Sequence, residues 1–289
     1  MHYTNILKNA LMMIFLAMGM LIVSYYTGLY NWIDINLFNE RGKDMTGDYL
    51  FHEDWSSISL IKDQFDYSWL AENSTPTLIA HALGASDSKR QNTLPEMRES
   101  LSKGLRLMEV DLWLDHDKII RCHHGPDLPR PLQDSDCTFE KALKFASENQ
   151  SWLILDIKTD FSITSREILQ KISNEDSSRI IFQLYKPNHI QLFKEWLKEK
   201  KLAGPIITVY MAKRSVSHIQ RSLIGSGFKA LTVPSYRLPA IDHNEGNGIK
   251  IFTHPTIGCK YFLEQIAYGA TGFYVSSEVT PKIQSGCIQ

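Results

Sequence analysis

From Thr77 onward the sequence alternates short apolar runs with longer amphipathic stretches, and this alternation limits the folds open to the chain. Strands that alternate with helices predict a parallel sheet with helical crossovers. Eight apolar runs predict an α/β fold in which the sheet closes as a TIM (β/α)8 barrel. The predicted strands are Leu78–His81, Arg106–Leu114, Trp152–Lys158, Arg179–Leu184, Pro205–Tyr210, Ala230–Pro234, Lys250–His254 and Gly272–Ser276. The predicted helices include Leu94–Lys103, Thr138–Glu148, Thr164–Ser173, Pro187–Lys200, Val216–Gly225 and Lys260–Tyr268.

The N-terminal segment has a different character from the rest of the 289 residues. Residues 9–32 carry no charge and are long enough for a transmembrane helix of about 20 residues, with aromatic residues crowded at the far end. Lys8 before this segment predicts that residues 1–8 are cytoplasmic and that the remainder is extracytoplasmic. A cleaved signal peptide is the alternative, but no A-x-A-like cleavage site follows the apolar run. Residues 33–75 are interpreted as a linker that packs on the domain, and residues 76–289 as the barrel.

Composition and cysteine spacing exclude some classes of function. The net charge of −1 gives no indication of a nucleic-acid partner. The four cysteines, Cys122, Cys137, Cys259 and Cys287, show no C-x-x-C spacing and therefore no zinc signature.

Two acids lie on one face of the second predicted strand. Glu109 and Asp111 are two residues apart, so their side chains point to the same side, while Val110 points to the other. Burying two neighbouring carboxylates without a cation is costly, and a hard divalent metal with oxygen ligands would compensate for it. The alternative is a solvated strand edge, and His81 taken alone would more often be a structural histidine. The order of the residues along the chain favours the metal site.

That order resembles the glycerophosphodiester phosphodiesterase family and its wider relatives, the phosphatidylinositol phospholipase C and sphingomyelinase D-like barrels. The family pattern has a histidine that closes the first strand, an Asn-Thr pair that opens the first helix, Glu-x-Asp on the second strand, and a second histidine. Its counterparts here are His81, Asn92 with Thr93, Glu109 with Asp111, and His124. Two positions depart from the pattern: Ala82 replaces the arginine that helps to hold the phosphate, and Gly125 replaces an aspartate.

The resemblance implies roles for these residues. His81 and His124 would act as catalytic base and acid, and Glu109, Asp111 and Asp156 would bind Mg²⁺ or Ca²⁺. Lys158, Asn92 and Tyr185 would contact the substrate. Other residues near later strand ends, Tyr210, His254 and Tyr274, are weaker pocket candidates that more often serve packing. Related barrels often carry a disulfide that would correspond to Cys122–Cys137, although the sequence does not fix the connectivity.

The function implied is a membrane-anchored, metal-dependent phosphodiesterase with its catalytic domain on the extracytoplasmic side. Its substrates would be glycerophosphodiesters or related lipid-derived or lipid-linked phosphodiesters. Two alternatives stay open, a phospholipase C- or D-like enzyme that acts on intact lipids and a catalytically inert barrel that binds headgroups. The inert barrel is disfavoured because such a protein has no need for mutually repelling carboxylates.

Overall fold

The computed structural model describes residues 11–16, 18–20, 65–70, 76–125, 132–133, 135–193, 202–208, 223, 227–241 and 248–287. Most of the predicted membrane segment, residues 9–32, lies outside these ranges, as does Tyr210. Residues 11–16 and 18–20 of that segment are helical. Among the described residues, no helix combines the length and the apolar character needed to cross a bilayer.

A closed parallel barrel dominates the described part of the chain. Its strands, in the order in which they pair, are β2, β11, β10, β9, β8, β6, β5 and β3, and pairing of β2 with β3 closes the ring. Strand β4 extends β3 in antiparallel fashion, and β1 pairs with β7 outside the barrel. The predicted (β/α)8 barrel is confirmed, and the predicted strands match those observed to within a few residues. The strands are β1 (Phe65–Asp66), β2 (Thr77–Ala80), β3 (Leu107–Leu114), β4 (Ile120–Cys122), β5 (Trp152–Ile157), β6 (Ile180–Leu184), β7 (Leu202–Ala203), β8 (Ile206–Thr208), β9 (Ala230–Pro234), β10 (Lys250–His254) and β11 (Gly272–Val275).

Helices with clear local start signals follow several of these strands. The side chains of Thr93, Thr138 and Asp160 each accept a hydrogen bond from a backbone N–H in the first turn of the helix that follows, which satisfies a donor that the helix leaves unpaired. Helix α1 ends just before Gly104, whose φ of +81° favours glycine. The helices are α1 (Leu94–Ser102), α2 (Phe139–Glu148), α3 (Phe161–Lys171), α4 (Pro187–Phe193), α5 (Cys259–Ala267) and α6 (Thr280–Gln284).

Inside the barrel, an apolar layer near the amino-terminal ends of the strands, which we call the floor, lies below a polar layer. Inward-facing apolar residues near the strand starts form one buried cluster, and Trp69, from the segment before β2, packs into it with its ring centroid 6.1 Å from that of Phe252. Inward positions further along the strands are polar, among them Glu109, Asp156, Gln183 and Thr232, and all four are buried. The polar layer therefore lies toward the carboxyl ends of the strands, where TIM barrels carry their active sites. The apolar cluster comprises Trp69, Ile79, Leu107, Ile154, Ile181, Ala203, Ile206, Ala230, Phe252 and Tyr274.

Gly272 gives the apolar floor the space it needs. A Cβ at this position would lie 2.1 Å from Cδ1 of Phe252, which is fully buried. We expect Gly272→Ala to lower the free energy of unfolding by about 1–3 kcal/mol through overpacking, measured by chemical denaturation. Gly258→Ala is the matched control, because a Cβ there meets nothing within 4 Å. Equal stability of the two variants would contradict this account of the floor.

Candidate active site

Three carboxylates meet where β3 and β5 lie side by side. Glu109 and Asp111 are on β3, Asp156 is on β5, and Asp111 pairs in register with Asp156. Their side chains are almost fully buried, and one oxygen from each lies within 4.8 Å of the others. The structure thus brings together all three residues that the sequence predicted as metal ligands. The order of strands explains this, because β5 directly neighbours β3 in the sheet.

The cluster carries more negative charge than the protein neutralises. Burial, followed by the charges of Asp111 and Asp156, raises the pKa of Glu109 well above its ordinary value. Burial also raises the pKa of Asp156. At Asp111 burial is opposed and outweighed by Lys158 and Asn92, so the pKa of that carboxyl is lowered. With all three acids ionised, as ligands of a metal would be, the cluster and Lys158 would carry a charge of about −2, which a divalent cation would balance, so this all-oxygen donor set fits Mg²⁺ or Ca²⁺.

Lys158 lies between two of the acids. Its Nζ is 2.9 Å from Oδ1 of Asp111 and 2.6 Å from Oδ2 of Asp156. Burial lowers the pKa of Lys158, but Asp156, Asp111 and Glu109 raise it by more, so the ammonium stays charged. Its predicted contact with a substrate phosphate stays a prediction, and in this structure the ammonium pairs with carboxylates.

Asn92 is tied to the cluster by two hydrogen bonds. Its Nδ2 donates to Oδ2 of Asp111 at 2.8 Å, and its Oδ1 accepts from the Asp111 backbone N–H at 3.0 Å. Its φ of +57° is one that asparagine tolerates better than most residues. Asn92 therefore orients a carboxylate of the cluster, and its predicted contact with substrate remains a prediction.

The turn after β2 is shaped around Glu109. His81 begins a 3₁₀ turn in which Ala82 and Leu83 have φ values of +47° and +64°. This conformation directs the Ala82 backbone N–H to Oε2 of Glu109 at 2.6 Å. Ala82 is fully buried, so the position that holds arginine in the resembling family here contributes a backbone donor to the acid cluster.

His81 contacts a second histidine, which ends β10, two strands away from β2 in the barrel. The Nε2 atoms of His81 and His254 are 2.7 Å apart, so one imidazole donates to the other, and Nε2 of His81 is 4.0 Å from Oε2 of Glu109. Burial lowers the pKa of His81 to about 4, and burial together with His81 lowers that of His254 to about 3, so both rings are neutral at neutral pH. From the sequence alone, His254 was only a weak candidate for the pocket. Its place at the end of β10, equivalent to that of His81 at the end of β2, was the signal for a stronger role.

The second predicted catalytic histidine lies at the rim of the site. The His124 side chain is exposed, and its charge when protonated acts on Asp111 and on His81. The neighbouring His123 donates its backbone N–H to the carbonyl oxygen of Asp111 at 2.9 Å. A disulfide between Cys122 and Cys137, a pairing that the sequence left open, fixes the strand that leads to these histidines. A second disulfide, Cys259–Cys287, was not predicted.

Tyr185, just beyond β6, donates its hydroxyl proton to Oδ1 of Asp156. Tyr185 therefore lies beside the acid cluster, and its predicted contact with substrate remains a prediction. A groove of about 880 Å³ opens nearby between α1 and β4, and it borders the site at Asn92 and His123.

Solved structures share this barrel. A glycerophosphodiester phosphodiesterase from Parabacteroides distasonis matches with a TM-score of 0.59 and 17% identity, over 75% of this chain and 100% of that chain. One from Thermotoga maritima gives 0.53 and 18%, over 74% and 100%. An Oleispira antarctica phosphodiesterase in complex with its product sn-glycerol-3-phosphate gives 0.58 and 19%, over 74% and 97%. At these identities the likeness establishes the fold, and it agrees with the resemblance found in the sequence.

No protein-family model matches the chain, and neither does any curated protein sequence.

Proposed function

We propose that the protein is a metal-dependent phosphodiesterase that hydrolyses glycerophosphodiesters or related lipid-derived phosphodiesters. The observation that carries the proposal is the buried cluster of Glu109, Asp111 and Asp156 beside His81. The cluster lies at the carboxyl ends of the strands in a barrel whose structural neighbours include several glycerophosphodiester phosphodiesterases. The product complex of the Oleispira antarctica protein supports a substrate that contains glycerol phosphate.

Each part of the site supplies one requirement of the reaction. A divalent cation held by Glu109, Asp111 and Asp156 would neutralise charge on the phosphoryl oxygens. His81, neutral at neutral pH, has the protonation state of a base that removes a proton from the attacking hydroxyl. His124, the second predicted catalytic histidine, would protonate the leaving oxygen. Where the substrate carries a neighbouring hydroxyl, as glycerol does, that hydroxyl is the attacking group and the first product is a cyclic phosphate.

The same proposal places the barrel outside the cytoplasm, anchored by residues 9–32. The apolar character of that segment supports an anchor. The two disulfides support an oxidising compartment, since structural disulfides are rare in the cytosol. An anchored barrel would meet lipid headgroups or lipid-linked polymers at the membrane surface.

The test is a cleavage assay with the full-length chain. Glycerophosphocholine, glycerophosphoethanolamine and glycerophosphoglycerol would be compared with intact phospholipid vesicles, each with Mg²⁺, Ca²⁺ or a chelator. We expect cleavage of at least one glycerophosphodiester that is lost with the chelator and restored by one of the two metals. Cleavage of intact lipid alone would transfer the assignment to a phospholipase, and metal binding without cleavage of any diester would indicate a headgroup-binding barrel.

A further inference from the structure

A line of hydrogen bonds crosses the barrel interior and ends on the acid cluster. Tyr274 on β11 donates its hydroxyl proton to Oε1 of Gln183 on β6 at 3.1 Å. Nε2 of Gln183 donates to the hydroxyl oxygen of Tyr185 at 2.7 Å, and Tyr185 donates in turn to Oδ1 of Asp156. Oγ1 of Thr232 on β9 lies 3.3 Å from the Tyr274 hydroxyl at the far end. We call Tyr274, Gln183 and Tyr185 the relay.

The direction of these bonds is fixed by the carboxylate at their end. A hydroxyl group has one proton to donate, and Asp156, when ionised, can only accept. Tyr185 therefore gives its proton to Asp156 and must accept from Gln183, which turns the amide nitrogen toward Tyr185 and the amide oxygen toward Tyr274. A flipped Gln183 amide would present a second acceptor to the Tyr185 hydroxyl and compete with Asp156 for its single proton.

Burial makes the relay a rigid part of the protein. Gln183 and Thr232 are fully buried and Tyr274 is 1% exposed, so solvent does not compete for the bonds among these three, whereas Tyr185 at the other end is half-buried. The ring of Tyr274 also packs edge-on against the rings of His81 and His254. A buried polar network in which each member finds its partner holds its side chains in one arrangement.

Asp156 is thereby held at both of its oxygens. Tyr185 fixes Oδ1, and Lys158 fixes Oδ2 at 2.6 Å. Hydrogen bonds to the ligands of a metal, from groups that do not touch the metal, orient those ligands and tune metal affinity. We propose that Tyr185, Gln183 and Tyr274 are positioning residues that orient Asp156 and so set the affinity of the carboxylate cluster for a divalent metal.

This inference rests on the metal requirement of the proposed function, and its test reads metal binding directly. The full-length chain and its variants would be titrated with Mg²⁺ and with Ca²⁺ by calorimetry. We expect Tyr185→Phe, which removes the bond to Asp156, to raise the metal dissociation constant about 10–100-fold. Tyr274→Phe, two bonds further away, should raise it about fivefold. Tyr261→Phe is the matched control, since this tyrosine is exposed on α5, and we expect no change.

The double variant separates positioning from a structural role. Without the Tyr185 hydroxyl the outer bonds no longer reach Asp156, so adding Tyr274→Phe to Tyr185→Phe should weaken metal binding no further. Thermal unfolding in chelator would measure any loss of stability separately. A lower melting temperature with dissociation constants within twofold of the wild type would overturn the inference, and so would effects that multiply in the double variant.

The experiments distinguish failure of the relay from failure of the proposed function. Wild-type protein that binds metal, and variants that bind it more weakly, would support the relay even if no phosphodiester were cleaved. Wild-type protein that binds neither Mg²⁺ nor Ca²⁺ would overturn the relay. Cleavage that is indifferent to metal would count against the proposed function.

Discussion

Replacement of Glu109 by glutamine is expected to raise stability and to lower activity strongly. The buried Glu109 carboxyl has a raised pKa because burial and two neighbouring acids disfavour its charge, and an amide removes that cost while keeping an oxygen for the Ala82 N–H. Because ionisation of this buried carboxyl is unfavourable, we expect the free energy of unfolding in chelator to rise when it is replaced by the neutral amide. Loss of a metal ligand should lower kcat/KM with Mg²⁺ or Ca²⁺ by more than about a hundredfold.

Two measurements on the Glu109→Gln variant test this prediction. Chemical denaturation in chelator gives the stability, and a metal titration followed by diester cleavage gives the activity. Glu99→Gln is the matched control, because this exposed acid on α1 pairs at 3.2 Å with Lys103, the residue just after the helix, and the substitution should change stability by less than about 0.5 kcal/mol. Higher stability of Glu109→Gln with unchanged activity would mean that the barrel is right and the site assignment wrong.

Local patterns in the sequence were sufficient to predict the barrel fold and the shared face of Glu109 and Asp111. Strand periodicity places Glu109 and Asp111 on one face, and the position of Asp156 near the end of the third barrel strand brings it to the same edge of the sheet. Gly104 marked the end of α1 because its backbone conformation favours glycine. The shared face of Glu109 and Asp111 and the end of α1 depend on residues close to one another in the chain, so a single sequence carries them, whereas Asp156 was assigned as a metal ligand through the family resemblance.

The contacts that sequence reasoning missed join distant parts of the chain. His81 and His254 are 173 residues apart, and Tyr274 and Gln183 are 91 apart. Each of these side chains meets its polar partner only when the barrel closes, because the partner comes from a distant strand. The same holds for the Cys259–Cys287 disulfide, which fastens α5 to the turn after α6. For Ala82, the sequence showed a missing arginine, whereas the structure shows a backbone donor to Glu109.

The second large effect is expected at His81. Its neutral imidazole lies beside the acid cluster, and general base catalysis contributes about 10²–10⁴-fold, so we expect His81→Ala to lower kcat/KM by that factor. Metal affinity should stay within a few-fold of the wild type, because the charge that holds the cation is that of the carboxylates. His116→Ala is the matched control, since this histidine is exposed in the turn between β3 and β4.

A pair of substrates distinguishes the base from the acid. A p-nitrophenyl leaving group departs without a proton, whereas an alcohol such as choline needs one, so a variant that lacks the acid is rescued by the p-nitrophenyl diester. We expect His81→Ala to be impaired on both substrates. Of His124→Ala and His254→Ala, the variant that is rescued identifies the acid. If His254 instead orients His81 through the 2.7 Å contact, His254→Ala will be impaired on both substrates and less severely than His81→Ala. Rescue of His81→Ala itself would reverse the roles, making His81 the acid and placing the base at the rim of the barrel or on His254.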